Sequence, residues 1–197
     1  MASSQVELRC VAPSIAPKTK AAAAVLRDSV YMDRRAEIID WLNDAYAMER
    51  ALEITLEKQA NSGEVHRAIR ERAAIHLDET RAHAERLERC LEMVGTKAST
   101  FKSTASQLLE TGKKYMTMFA RDERVKDYLA SVGAEYFEVA CYKALIAAAQ
   151  VAGEERMIGP LTKNLREDAA MASWLDENID AVIRDYLSEA TKTSAAA

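Results

Sequence analysis

Four long apolar stripes in this sequence each carry acid near their middle, and that placement is where its chemistry lies. Ile38, Leu42, Ala45, Glu49, Leu52 and Leu56 recur at alternating steps of four and three. The second stripe reads His76, Glu79, His83, Cys90 and Met93. The third reads Glu135, Glu138, Tyr142, Leu145 and Ala149, and the fourth Leu161, Leu165, Asp168, Ala172, Leu175 and Ile179. These spacings place each set on one face of a helix, turned toward a shared interior. A buried, unpaired carboxylate is strongly destabilising, so acids in that interior require protons, polar partners or metal. Dinuclear metal sites in four-helix bundles are built on this pattern, with inward glutamates and histidines from facing helices.

Counting along the chain tests whether the acids share one depth. Glu49 lies thirteen residues before Ser62, and Glu79 lies seventeen after it. At about 1.5 Å per helical residue the offset is roughly 6 Å, within reach of converging side chains. Glu138 lies sixteen residues before Glu154 and Asp168 fourteen after it, with Glu135 fitting that depth slightly less well. His76 counts level with Glu49, and His83 sits one turn beyond Glu79. The metal reading therefore assigns Glu49 and Glu138 as terminal ligands and Glu79 and Asp168 as bridges. His83 completes the first half-site, and His76 orients a ligand or substitutes for one. Carboxylate and imidazole donors suit iron or manganese.

A structural reading stands beside it, a non-catalytic dimeric bundle acting through protein–protein interaction, with the buried acids as a polar network and no metal. Glu79, His76 and His83 can form a hydrogen-bonded cluster with Arg72 or Arg86. Glu49 and Glu138 can pair with Tyr142, Tyr46 or an arginine, and Glu138 and Asp168 can share a proton. Met116, Met118 and Met171 read as packing residues, and Glu64 to Arg72 as a solvated helix face.

The elements that must position these groups are punctuated clearly. A first helix is expected over Asp33–Ala60, ending at Asn61-Ser62-Gly63, and a second over Glu64–Val94, ending at Gly95. A third is expected over Glu123–Ala152, closed by Gly153. A fourth starts between Glu154 and Pro160, with Gly159-Pro160 as N-cap and first turn, and runs to about Ser188. Between the second and third lies a long connection with a short helix expected near Ser103–Ala120. The fold expected is all-α, a ferritin-like four-helix bundle over residues 32–190 with a long crossover between helices two and three. Residues 1–31 are expected to be a disordered extension, with room for a helical turn near Ala21–Leu26, and 191–197 a frayed tail.

Composition supports long helices: 49% of the 197 residues are hydrophobic, with only six glycines and three prolines. A net charge of −4, with the signs interspersed, offers no footprint for nucleic acid. No apolar run reaches the ~18 residues needed to span a membrane. Cys10, Cys90 and Cys141 form no CxxC pair, which fits a reducing, cytoplasmic setting. No phosphate-cradling glycine loop or Ser/His/Asp arrangement competes with the acids. Off the core seam, Ile39, Tyr46 and Ile54 on the first helix and Leu129, Val139, Ile146 and Val151 on the third suggest a homodimer.

The segments Leu42-Asn43-Asp44-Ala45-Tyr46-Ala47-Met48-Glu49, His76-Leu77-Asp78-Glu79-Thr80 with Glu85-Arg86-Leu87, and Glu135-Tyr136-Phe137-Glu138-Val139-Ala140-Cys141-Tyr142 resemble the bacterial YciE/YciF family. The resemblance covers residues 35 to 187. It implies a ferritin-like, rubrerythrin-like bundle, usually a homodimer, linked to stress responses and without a defined biochemical activity. A redox role on peroxide or dioxygen is the activity such a bundle would have. The chain departs from the general dinuclear pattern of Glu-x-x-His on two helices. Glu79 and His83 are four apart, Met171 and Ala172 follow Asp168 where a histidine or acid would stand, and Asp168 is a shorter arm than glutamate. An asymmetric or single-metal site is expected in place of a symmetric one.

Overall fold

The structure is a computed structural model that describes residues 19–63, 65–99 and 123–195. Among the described residues the elements are four helices: α1 (Lys20–Asn61), α2 (Arg67–Met93), α3 (Glu123–Ala152) and α4 (Glu155–Ala195). The chain divides into two compact units after Asp33. The second, Arg34–Ala197, is an all-α four-helix bundle.

Two glycines set the hairpin geometry at one end. Gly95 and Gly153 both have φ of 75°, a conformation that costs any side-chain-bearing residue energy. Each closes a helix with the same pair of backbone bonds. After α2, Thr96 N donates to Leu91 O at 3.1 Å and Gly95 N to Glu92 O at 2.9 Å. After α3, Glu154 N donates to Ala149 O at 2.8 Å and Gly153 N to Gln150 O at 3.2 Å. These are paired C-terminal caps that satisfy otherwise orphaned carbonyls. At the other end α1 stops at Asn61, and the His66 side chain caps α2 by accepting from Ala68 N at 3.3 Å.

Several boundaries differ from the sequence expectation. The helix α1 starts at Lys20, inside the segment expected to be irregular, where Ala21–Ala24 has high helix propensity. The helix α4 starts at Glu155 and contains Pro160, so Gly159-Pro160 is not its cap. Pro160 lies close enough to the start to remove a single ladder bond, which the first turns of a packed helix tolerate. α4 also continues to Ala195, into the stretch expected to fray. The short helix expected near Ser103–Ala120 and residues 1–18 lie outside the described residues.

The C-terminal ends of α2 and α3 lie at the same end of the bundle, since Val94, Ala149 and Met157 share one apolar cluster. The end of α2 at Met93 and the start of α3 at Glu123 therefore lie at opposite ends of the bundle, as the long crossover expected between them requires. The main core is built from Ile38, Leu42, Leu87, Leu91, Tyr142, Leu145 and Leu161, contributed by all four helices. Truncating one such fully buried leucine to alanine would cost about 2–5 kcal/mol. Smaller clusters, Leu56/Ala73/Leu77 and Tyr128/Met171/Leu175, pack the opposite half. The polar stripe residues form a layer between these apolar halves.

The faces expected to lie off the seam are only partly exposed. Tyr46 is buried, its hydroxyl donating to Glu88 Oε1 at 2.8 Å, and Ile39 and Ile146 pack against the core. Leu129 and Val139 are half-buried, leaving Ile54 (58%) and Val151 (63%) in the open. A more continuous apolar face runs along α3 through Tyr136, Phe137, Ala140, Ala144, Ala147 and Val151, all exposed. Among the described residues no helix is long and apolar enough to cross a membrane.

Candidate metal centre

Helix ends place the site. Glu49 stands twelve residues before the end of α1 at Asn61; His76 and His83 stand nine and sixteen after the start of α2 at Arg67. Glu49 therefore falls midway between the two histidines. Counting from Ser62 sets His76 level with Glu49 and Glu79 beyond it; counted from the helix ends Glu79, twelve after Arg67, is the level residue, yet its side chain lies toward solvent. The histidines are seven apart, two turns on one face, so both rings enter the interior.

Two groups of buried donors result. In the first, His83 Nδ1 lies 3.3 Å from Glu49 Oε2 and 3.3 Å from Asp168 Oδ1, and all three side chains are fully buried. In the second, His76 Nε2 lies 3.2 Å from Glu135 Oε2 and 4.0 Å from Asp168 Oδ1. Within each group the donor atoms lie within 4.8 Å of one another, and Asp168 belongs to both. Glu138 is buried in the same layer, close enough to respond to the charges of Glu49, Glu135 and Asp168.

Glu79 sits elsewhere. Its Oε2 receives His76 Nδ1 at 2.7 Å and Arg72 Nη1 at 3.2 Å, on the solvent side of the imidazole, with the side chain 28% exposed. The expected roles of Glu79 and His76 are thus exchanged: the histidine faces the interior and the acid stands behind it. The cause is Arg72, two turns earlier on the same side of α2, whose cation pairs with Glu79 outside the core. Glu135, the weaker candidate by depth, is as buried as Glu138 and touches His76.

A matching support behind His83 escaped the sequence reading. His83 Nε2 lies 3.1 Å from Glu167 Oε2, which Arg86 Nη1 holds at 2.5 Å while also donating to Asn164 Oδ1 at 2.7 Å. Asn164 Nδ2 donates to the Tyr142 hydroxyl at 2.8 Å, and that hydroxyl donates to Glu49 Oε1 through a short hydrogen bond. One signal for Asn164 was available: it is a polar residue one turn before Asp168 on a face meant to be apolar. Glu167 gave none, being one of many acids beside a stripe.

Five side-chain atoms in this layer are buried with no hydrogen-bond partner: Glu49 Oε2, His83 Nδ1, Glu135 Oε2 and both carboxylate oxygens of Asp168. Buried polar atoms are almost always satisfied, so five together call for an explanation. In the metal-free state protons take up part of the strain. Burial, reinforced by Glu49 and Glu135 against the opposing pull of His76, raises the Asp168 carboxyl to about 9. Burial also lifts Glu138 well above the usual carboxylate range, with Glu49, Glu135 and Asp168 adding to it. His76 would be depressed by burial, but Glu135, Glu79 and Asp168 reverse this and carry it to about 10. Glu79 moves the other way: burial opposes ionisation, yet His76 and Arg72 hold it below its ordinary value. Cys141, lifted to about 11 by burial and then by Asp168 and Glu49, is no thiolate nucleophile at neutral pH.

The profile described as a domain of unknown function, DUF892, matches residues 25–188. Among solved structures, a protein from Xanthomonas campestris pv. campestris is 30% identical, covering 80% of this chain and 99% of its own, with a TM-score of 0.69. The E. coli stress protein YciF is 22% identical over 77% of this chain and 97% of its own, with a TM-score of 0.66. YcfI from Rhodopseudomonas palustris is 25% identical over 73% and 92%, with a TM-score of 0.63.

Proposed function

This chain belongs to the DUF892, YciE/YciF-like family of four-helix bundles, and we propose that its mid-bundle polar layer binds one or two iron or manganese ions. The observation that carries this reading is the set of five orphaned atoms, all borne by members of the two donor groups. The inward atoms stand in ion-pair contact, His83 Nδ1 at 3.3 Å from both Glu49 Oε2 and Asp168 Oδ1 and His76 Nε2 at 3.2 Å from Glu135 Oε2, and they converge on two points an ion would fill. The donors are carboxylate and imidazole, the set suited to those ions. Glu49, His83 and Asp168 would hold one ion, His76, Glu135 and Asp168 the other, with Glu138 supplying further negative charge.

When bound, the metal would supply one-electron redox chemistry toward peroxide or dioxygen. The chain's own residues prepare that layer. Tyr142 fixes Glu49 Oε1 and so turns Oε2 inward, and Asn164 fixes Tyr142. The apolar clusters on either side exclude bulk water, which strengthens every charge interaction within. Calorimetric titration of chelator-treated protein with Mn2+ tests the reading. Uptake of about one to two equivalents with proton release is expected, since the ion replaces protons on raised groups. Absence of heat and of uptake would promote the alternative, a bundle whose acids serve only as a polar network.

We extend the proposal to a cytoplasmic homodimer with a role in stress response, as the named function of the E. coli relative suggests. Free Cys90 and Cys141 suit a reducing compartment. The exposed α3 face supports self-association: bulky Tyr136 and Phe137 lie toward one end and small Ala144 and Ala147 toward the other. Antiparallel docking of a second copy about Ala140 would set large against small on both sides of a two-fold axis.

A further inference from the structure

We propose that Glu79 and Glu167 are positioning residues that fix the two imidazoles in opposite tautomers, making the two half-sites chemically inequivalent. The inference rests on the metal reading above and deepens it. The geometry behind each ring is the same in kind. A carboxylate, partly open to solvent and held by an arginine, faces the outer ring nitrogen: Glu79 with Arg72 behind His76, Glu167 with Arg86 behind His83. An ionised carboxylate only accepts hydrogen bonds, so the outer nitrogen must keep its proton. The inner nitrogen is then the one free to offer a lone pair to an ion, the arrangement by which outer carboxylates orient metal-binding histidines.

The two inner nitrogens are not the same atom. His76 turns Nε2 inward and gives Nδ1 to Glu79 at 2.7 Å; His83 turns Nδ1 inward and gives Nε2 to Glu167 at 3.1 Å. This follows from their placement two turns apart on α2 with Asp168 between them. The rings stand nearly perpendicular, at 77° with centroids 6.0 Å apart, so they meet the shared carboxylate with different edges. The supports differ as well. Arg86 is tied to Asn164 and through it to Tyr142 and Glu49, so the His83 half is braced by α2, α3, α4 and α1 together. The described hydrogen bonds tie Arg72 to Glu79 on its own helix.

The test uses Zn2+ as a diamagnetic probe on the full chain. Equilibrium dialysis of the wild type should resolve two equivalents. Glu167→Ala should weaken one of them and Glu79→Ala the other, each by roughly 10–100-fold. Glu167→Gln and Glu79→Gln, whose amide oxygen still accepts the ring N–H, should recover most of the loss and also report on folding. Nitrogen-15 NMR of histidine-labelled, Zn2+-loaded protein should show one imidazole bound through Nε2 and the other through Nδ1. Binding through the same nitrogen on both rings, or equal loss of both equivalents in each alanine variant, overturns this inference and leaves the metal reading standing. A wild type that takes up no Zn2+ removes both.

Discussion

Asp168 Oδ1 lies 3.3 Å from His83 Nδ1, and the two make no hydrogen bond. With the other ring nitrogen facing Glu167, the inner nitrogen points at the Asp168 carboxyl across a fully buried gap. The same carboxylate reaches toward His76 at 4.0 Å. Asp168 is therefore the pivot of both donor groups.

Replacing it tests that position. Asp168→Asn keeps the shape and removes the shared charge, so uptake of both equivalents of Mn2+ should fall at least tenfold. The metal-free protein should be about as stable as before, because the Asp168 carboxyl, raised to about 9, is already protonated there at neutral pH. Urea midpoints and dialysis on the same preparations check both halves. Unchanged uptake would remove Asp168 from the site.

Metal-free stability should fall as pH rises. Asp168 sits at about 9 in the fold against an ordinary value of 3.8, and His76 at about 10 against 6.5. Both values are raised, so the folded protein binds more protons than the unfolded chain and gains stability at low pH. The Asp168 contribution is present in full below about 3.8 and lost as pH approaches 9; that of His76 is lost between about 6.5 and 10. Chelator-treated protein should show a lower urea midpoint at pH 9 than at pH 6.5, and an equal or higher one would contradict the protonation scheme.

The bundle itself was open to reading from the sequence because apolar periodicity and glycine punctuation are local signals. Gly95 and Gly153 end their helices where the chain said they would, and Glu49, His76, His83, Glu135, Glu138 and Asp168 are buried because each occupies a stripe position. What could not be read is which polar group faces which. That depends on axial offset and on arginines reaching across helices: Arg72 draws Glu79 outward, and Arg86 joins α2 to Glu167 and Asn164 on α4. A count of residues from a turn is blind to both.

Tyr142 offers a separate check. Its hydroxyl donates to Glu49 Oε1 and accepts from Asn164. Tyr142→Phe leaves Glu49 without its one hydrogen bond in a fully buried place, at a cost of about 1–3 kcal/mol to the metal-free protein. Ion affinity should fall too, since Glu49 is freed to turn. A urea midpoint matching the wild type would show that this bond does not anchor the carboxylate.

Self-association is tested on α3. Ala144→Glu puts a charge on an exposed position of the apolar face and should leave the monomer fold intact while driving the protein to monomer at micromolar concentration. Light scattering on wild type and variant decides it. A wild type that is already monomeric, or a variant that remains dimeric, rules out this face.

The central claim is that ions belong among Glu49, His76, His83, Glu135 and Asp168. Elemental analysis of protein purified without chelator, from cells supplied with iron and manganese, bears on it most directly. Iron or manganese at about one to two equivalents per chain is expected, given two donor groups that share one carboxylate. Metal at the level of the buffer, with none taken up on later titration, would contradict it.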